Sequence, residues 1–240
     1  MIRQVFWPPK SEPSVLSNSW LCTEEIEDIL KSLHRLEEYW EPLWAGNYNK
    51  MFSLSMSAAS AARRDVQVDQ SKKPIMMEEF SWLYTKLFDT LGERYSRPIR
   101  FSPNMNYPGF YIFNGPLYTG GYMDDLSLSE QDRSSDSLEV HQSRKLLYHR
   151  DMYSLDEFNG TYTEIDSYVV PISVPSAPTG LKWQDYQGVD RDLEYTVGML
   201  GHWDGMQLHA IGDVICLEGE ARITFQIHCS IQADEIVVFW

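Results

Sequence analysis

The sequence predicts an α+β protein, with helices in the N-terminal third and an antiparallel β-sandwich or barrel after them. Three observations carry this expectation. Apolar residues recur at helical spacing between residues 26 and 43 and again between 80 and 91. From about residue 97 the pattern changes to short β-branched and aromatic runs set off by turn formers, with no helical stretch between them. In Arg222-Ile223-Thr224-Phe225-Gln226-Ile227-His228-Cys229 polar and apolar residues alternate without a break, so one face of that strand is polar and the other apolar.

Taken in order, residues 1–20 carry Pro8, Pro9 and Pro13 and are expected to form an irregular arm. Thr23 suits an N-cap, with Glu24 and Glu25 in a first turn where the helix dipole favours acids. Ile26, Ile29, Leu30, Leu33, Leu36, Tyr39, Trp40 and Leu43 then form one apolar stripe, while His34, among Lys31, Arg35 and Glu38, falls on the solvated face. Residues 45–74 turn to Ser, Ala and polar residues and predict loops with room for one short helix. Phe80, Leu83, Tyr84, Leu87, Phe88 and Leu91 mark a second amphipathic helix.

The β region opens with the aromatic run Tyr107-Pro108-Gly109-Phe110-Tyr111-Ile112-Phe113. Residues 114–144, with Asp124, Asp125, Glu130, Asp132 and Asp136, form a long acidic insertion whose default reading is a solvated loop, not a hard-cation site. His141 lies within it and is a poor candidate ligand. Strands are then expected at 145–153, 168–174, 195–200, 206–211, 213–218, 221–230 and 234–240.

Composition bounds the class. A chain of 240 residues with 43% hydrophobic and 13% aromatic content can bury a sizeable core. It fits one domain over 1–240, with 1–100 as mainly helical support and 105–240 as the β core. A net charge of −15 argues against a nucleic-acid partner, because Lys and Arg supply affinity for phosphate backbones. Cys22, Cys216 and Cys229 are odd in number and unpaired in spacing, which suggests free thiols in a reducing compartment. No apolar run suits a signal peptide or a membrane span, so the expected location is the cytoplasm.

The chemistry centres on Leu146-Leu147-Tyr148-His149-Arg150-Asp151. In an extended strand His149 and Asp151 share a face, offering a metal an imidazole and a carboxylate from one backbone segment. With a second imidazole, two His and one carboxylate leave open coordination positions and suit non-haem Fe(II). The third ligand is to be found among His202, His209 and His228. His209 is preferred, because twelve residues separate it from Arg222, enough to bring the Arg side chain back near the metal. An Arg on the inner face of a barrel strand calls for an anion, since its guanidinium cannot shed its charge. The same face in solvent is the competing reading.

These residues resemble the 2-oxoglutarate/Fe(II)-dependent oxygenases, whose pattern is His-x-Asp, a distal His, then an Arg with Ser or Thr two positions later. That pattern falls here on His149, Asp151, His209, Arg222 and Thr224. The likeness is closer to an uncharacterised bacterial branch, through Pro108 to Phe113, Gly180-Leu181-Lys182-Trp183, Arg222-Ile223-Thr224 and Trp240. It covers about residues 105–240. Tyr111 stands where members often have His, and the 114–144 insertion is longer than the pattern expects. The resemblance implies a double-stranded β-helix (jelly-roll, cupin-like) core with the N-terminal helices packed on the outside. It implies Fe(II) held by His149, Asp151 and His209, and 2-oxoglutarate held by Arg222 and Thr224. It also implies an oxidation, of hydroxylase type, in which dioxygen and 2-oxoglutarate are consumed and succinate released, acting on a small molecule or peptide. Trp183, Tyr153, Tyr168 and Trp203 are candidates for the substrate lining.

Other readings fare less well. His149-Arg150-Asp151 also suggests a protein-kinase catalytic loop, but Asp156 stands where that loop needs Asn and no glycine-rich phosphate loop is present. No Gly-x-Ser-x-Gly supports a hydrolase. The remaining alternative is a non-catalytic cupin-like module that binds a metal or a small acid. Arg222 and an open metal face favour the oxygenase, and Asp151 argues against the halogenating subclass, which has a small residue in its place.

Overall fold

The computed structural model describes residues 9–45, 50–54, 71–114, 148–151, 164–212 and 214–240. Among the described residues, two α-helices, α1 (Thr23–Arg35) and α2 (Lys73–Tyr95), accompany twelve strands. These are β1 (Ser14–Ser17), β2 (Glu41–Ala45), β3 (Lys50–Leu54), β4 (Ile99–Phe101), β5 (Gly109–Phe113), β6 (Glu164–Ser173), β7 (Gly180–Gln184), β8 (Asp190–Glu194), β9 (Leu200–Asp204), β10 (His209–Ile211), β11 (Arg222–Ile231) and β12 (Ile236–Phe239).

Nine strands form one sheet in the order β1-β9-β6-β11-β5-β3-β2, with β12 beside the second half of β11 and β4 beside β12. Three more form a second sheet, β10-β7-β8, which His149 extends through a bridge to His209. From β5 onward, the large sheet holds β5-β11-β6-β9 as neighbours, and the small one holds the 149 segment, β10, β7 and β8. All these pairings are antiparallel, and the chain passes back and forth between the sheets. That interleaving is the strand order of a double-stranded β-helix.

The alternation in β11 decides which way its faces point. Ile223, Phe225, Ile227 and Cys229 join one apolar cluster with Phe110 and Ile112 of β5 and Tyr168, Val170 and Ile172 of β6. The same cluster contains Ile29 and Leu33 of α1, and Met76, Phe80, Leu83, Tyr84, Leu87 and Leu91 of α2. Phe80 meets Phe110 with ring centroids 4.9 Å apart, and Phe110 meets Phe225 at 5.1 Å. Burying each such side chain contributes roughly 1.5–3 kcal/mol. Arg222, Thr224 and His228 occupy the other face and are buried as well. The polar face of β11 therefore looks into the barrel, not into solvent.

Several sequence expectations are corrected. Residues 195–199 are not a strand: a turn at 197–198 places Gly198 at φ +79°, where a Cβ would lie 2.7 Å from the Leu21 carbonyl oxygen, and the strand runs Leu200–Asp204 instead. The helix expected to reach Leu43 stops at Arg35, and residues 41–45 are strand β2. Its N-cap is Cys22, whose N–H donates to the Glu25 carboxylate at 2.8 Å, not Thr23. Ser14–Ser17 within the arm pairs with β9, and Lys50–Leu54, expected as loop, pairs with β5. Pro171, within a strand as expected, pairs with Thr224 beside a register shift in the ladder between β6 and β11, the kind of irregularity at which a strand tolerates proline. Most of the acidic insertion, with His141, lies outside the described residues, as does Tyr153. Cys22, Cys216 and Cys229 are free thiols. Among the described residues no helix is long and apolar enough to cross a membrane.

Candidate metal centre

His149 and His209 face each other in an antiparallel bridge. Each donates its backbone N–H to the other's carbonyl, at 2.8 and 3.0 Å. Residues directly opposite in such a pair project to the same side, and the two imidazole centroids lie 4.4 Å apart. Asp151, two positions along, projects to that side too, while Arg150 between them turns away and donates Nε–H to the Met206 carbonyl at 2.9 Å. The Asp151 backbone is anchored where its N–H donates to the Gly205 carbonyl at 2.8 Å. A Cβ at Gly205 would lie 2.9 Å from the carbonyl oxygens of Asp151 and Ile165, so only glycine fits this crossing between the two sheets.

One donor atom from each of His149, Asp151 and His209 falls within 4.8 Å of the others. His149 Nε2 is 3.8 Å from Asp151 Oδ1, and His209 Nε2 is 3.5 Å from Asp151 Oδ2. The His149 side chain is 52% exposed and the other two are almost fully buried, so the cluster opens to solvent along the His149 edge. His209 Nδ1 lies 2.8 Å from the Gln207 carbonyl, which can only accept, so Nδ1 carries the proton and Nε2 keeps its lone pair for a metal. Burial pushes the His209 imidazole down to about 4 against the pull of Asp151, so the ring is neutral near pH 7. Burial would raise the Asp151 carboxyl, but His209, His228, His149 and the Ser167 hydroxyl together hold it well below the usual carboxylate range. Two imidazoles and a carboxylate are the donor set that a divalent first-row metal takes.

The other candidate histidines separate cleanly. His202, paired with Tyr168 across β9 and β6, lies on the opposite face of the large sheet, 3.2 Å from Asp166 and 3.4 Å from Arg94. Tyr168 shares that face and belongs to the cluster beneath the helices, so it does not line the barrel. His228 is on the inner face, with Nδ1 3.8 Å from Asp151 Oδ2, beside the cluster rather than within it. Trp203 is also inward, and its indole N–H donates to Asp151 Oδ2 at 3.1 Å. Trp183 stands opposite His209 in β7 and is buried. Ser167, whose hydroxyl donates to Asp151 Oδ2 at 2.6 Å, was not legible as a site residue: a lone serine in a strand carries no spacing signal.

Arg222 opens β11 at the opposite end of the inner face from His228 and is 1% exposed. Its guanidinium lies 5.4 Å from the Phe113 ring centroid and 4.9 Å from that of Tyr195. Thr224, fully buried, follows on the same face and accepts from Gln226 Nε2 at 3.1 Å. A permanent cation held within the barrel attracts a carboxylate in a medium where water cannot compete fully.

No family model matches the chain, and no curated protein matches it. Solved structures do. The viral collagen prolyl hydroxylase of Paramecium bursaria Chlorella virus-1, in its 2-oxoglutarate complex, is similar at 10% identity over 92% of this chain and 98% of that one, with a TM-score of 0.47. A prolyl-4-hydroxylase from Pseudomonas putida is similar at 12% identity over 90% and 91%, with a TM-score of 0.43. HygX from Streptomyces hygroscopicus, with nickel and 2-oxoglutarate bound, is similar at 10% identity over 90% and 81%, with a TM-score of 0.46. At such identities the residues of the site itself carry the function.

Proposed function

We propose that the chain is a non-haem Fe(II)- and 2-oxoglutarate-dependent oxygenase of hydroxylase type, acting on a small molecule or peptide. The observation that carries the proposal is the convergence of His149, Asp151 and His209 on one face of the small sheet, inside a double-stranded β-helix. In this reading the three side chains hold Fe(II), and the metal with its co-substrate supplies the oxidation of a substrate C–H bond while 2-oxoglutarate becomes succinate.

The chain's own residues do the rest. Arg222 and Thr224 receive the far carboxylate of 2-oxoglutarate through charge-assisted hydrogen bonds. His209 keeps Nε2 available by giving its Nδ1 proton to Gln207. The buried walls around Trp183 and Trp203 limit water, and the exposed edge at His149 is the side from which substrate and dioxygen arrive. Asp151 in place of a small residue leaves no room for a halide ligand, which favours hydroxylation. The two helices brace the outer face of the large sheet, the whole of residues 1–240 works as one domain, and the three thiols suit the cytoplasm.

The test is succinate release. Purified protein supplied with Fe(II), 2-oxoglutarate and air should form succinate slowly without substrate and faster with a true one, and Asp151→Gly should lose that turnover. Protein that demonstrably holds Fe(II) and 2-oxoglutarate yet releases no succinate with a broad panel of metabolites and peptides would instead be a binding module.

A further inference from the structure

Three inward side chains stand in a row across the large sheet and meet Asp151 from the opposite wall. Trp203 of β9 is directly opposite Ser167 of β6, and Ser167 is directly opposite His228 of β11. All three are buried. The Ser167 hydroxyl lies 2.6 Å from Asp151 Oδ2 and 2.9 Å from His228 Nδ1, and Trp203 Nε1 lies 3.1 Å from the same Oδ2.

The direction of each bond follows from what the groups can do. An ionised carboxylate only accepts, so the single Ser167 proton goes to Asp151. The Ser167 oxygen then accepts, and His228 must donate from Nδ1. An indole N–H only donates, so Trp203 also gives its proton to Oδ2. Oδ2 lies 3.5 Å from His209 Nε2, but the two donors from the large sheet occupy both of its lone pairs, whereas Oδ1 faces His149 Nε2 at 3.8 Å and keeps its lone pairs for a metal.

We propose that Ser167 and Trp203, with His228 behind Ser167, are positioning residues that make Asp151 a one-oxygen ligand and present only Oδ1 to the metal. This rests on the metal-binding reading above and adds to it. A carboxylate free to rotate can close both oxygens onto a metal and take a coordination position that a co-substrate or dioxygen needs. Two fixed donors on Oδ2 oppose that rotation, because closing the second oxygen onto the metal would break both bonds inside a dry cavity, where an unmade hydrogen bond is costly. Partners that orient a metal ligand in this way typically matter 10–100-fold for metal affinity.

The experiment is titration of the metal-free full chain with Co(II), read by calorimetry and by the visible ligand-field bands that report coordination number. Wild-type protein should bind one Co(II). Ser167→Ala and Trp203→Phe should each weaken binding by about 10–100-fold and shift the bands toward a higher coordination number. Ser167→Thr keeps the hydroxyl and should restore both readouts. His228→Asn, which keeps a donor where Nδ1 stands, should resemble wild type, and His228→Leu should resemble Ser167→Ala. Circular dichroism establishes that each variant is folded; Ser167→Ala removes one oxygen only and so keeps the test decisive if the Trp variant does not fold. Folded Ser167→Ala with wild-type Co(II) affinity and bands would overturn the proposal, and so would lowered thermal stability with unchanged bands, which would mark Ser167 as structural only. Wild-type protein that binds no Co(II) would remove the metal centre itself, a separate and distinguishable failure.

Discussion

His149 and His209, sixty residues apart in sequence, exchange both backbone hydrogen bonds, at 2.8 and 3.0 Å, and this pairing sets their imidazoles side by side. The candidate metal centre is thus built on the ladder of the small sheet rather than on a loop. Strand pairing fixes the two rings, and Asp151 is carried along by period two.

The ligand set makes the first prediction. Alanine at His149, Asp151 or His209 should abolish stoichiometric iron loading, measured by metal analysis of the folded protein, with circular dichroism little changed. His202→Asn should keep its iron, because His202 lies on the other face of the sheet beside Asp166. Iron retained in His209→Ala and lost in His202→Asn would reverse the assignment.

Arg222 carries the second. Losing a buried charged hydrogen-bond pair costs on the order of 2–5 kcal/mol. Arg222→Ala should therefore weaken 2-oxoglutarate binding by a large factor, and Arg222→Lys by less, since Lys keeps the charge and loses the planar fork. Iron affinity, titrated separately, should stay close to wild type in both. Unchanged co-substrate affinity in Arg222→Ala would exclude the clamp.

What was legible in the sequence follows from period and reach. The clean alternation of β11 announced a strand with one polar face, and His-x-Asp announced two ligands on one side, because both signals are local. The direction of the polar face was not local: it depended on Phe225 and Ile227 joining the same apolar cluster as Phe80, Leu83 and Tyr84 of α2, which no spacing within β11 reveals. The choice among three histidines likewise needed register. His202 and His228 sit in equally plausible strands, and only the pairing of β6 with β9 and β11 sends one outward and the other inward. Short strands such as β1 and β3 escaped because β9 and β5, which tie them into the large sheet, lie far away in sequence. Ser167 escaped for the same reason, since its role exists only across the gap between the sheets.

Gly205 supplies the third prediction. A methyl group there would meet the Asp151 carbonyl and Ile165 at 2.9 Å, closer than backbone atoms tolerate. Gly205→Ala should force the Asp151 segment away from β6 and lower stability by about 1–3 kcal/mol, as strained or overpacked sites do. Because the displaced residue is a proposed ligand, Co(II) affinity should fall in the same variant, whereas Gly188→Ala, in an open turn, should leave Co(II) affinity as it is. Denaturant melts and metal titrations on the two variants check both halves.

The last prediction concerns acid. His209 is buried and pushed from its ordinary 6.5 down to about 4, so between those values the unfolded chain binds a proton that the folded chain refuses. Stability conferred by this group is fully present above pH 6.5, declines as pH falls toward 4, and is constant below that. The loss amounts to roughly 3 kcal/mol for the metal-free protein, at 1.36 kcal/mol for each pKa unit. Asp151 acts in a lower window: its carboxyl is held below 3.8, so its contribution is present above that value and is lost only under stronger acid. Urea midpoints of the metal-free protein should thus fall from pH 6.5 to 4 and fall again below 4. His209→Gln should flatten the upper slope and also move the lower one toward higher pH, because His209 is the main group holding the Asp151 carboxyl down. Bound Co(II) needs the same unprotonated Nε2, so its stabilising effect should shrink across the upper window. An unchanged upper slope in His209→Gln would assign that acid sensitivity to another histidine.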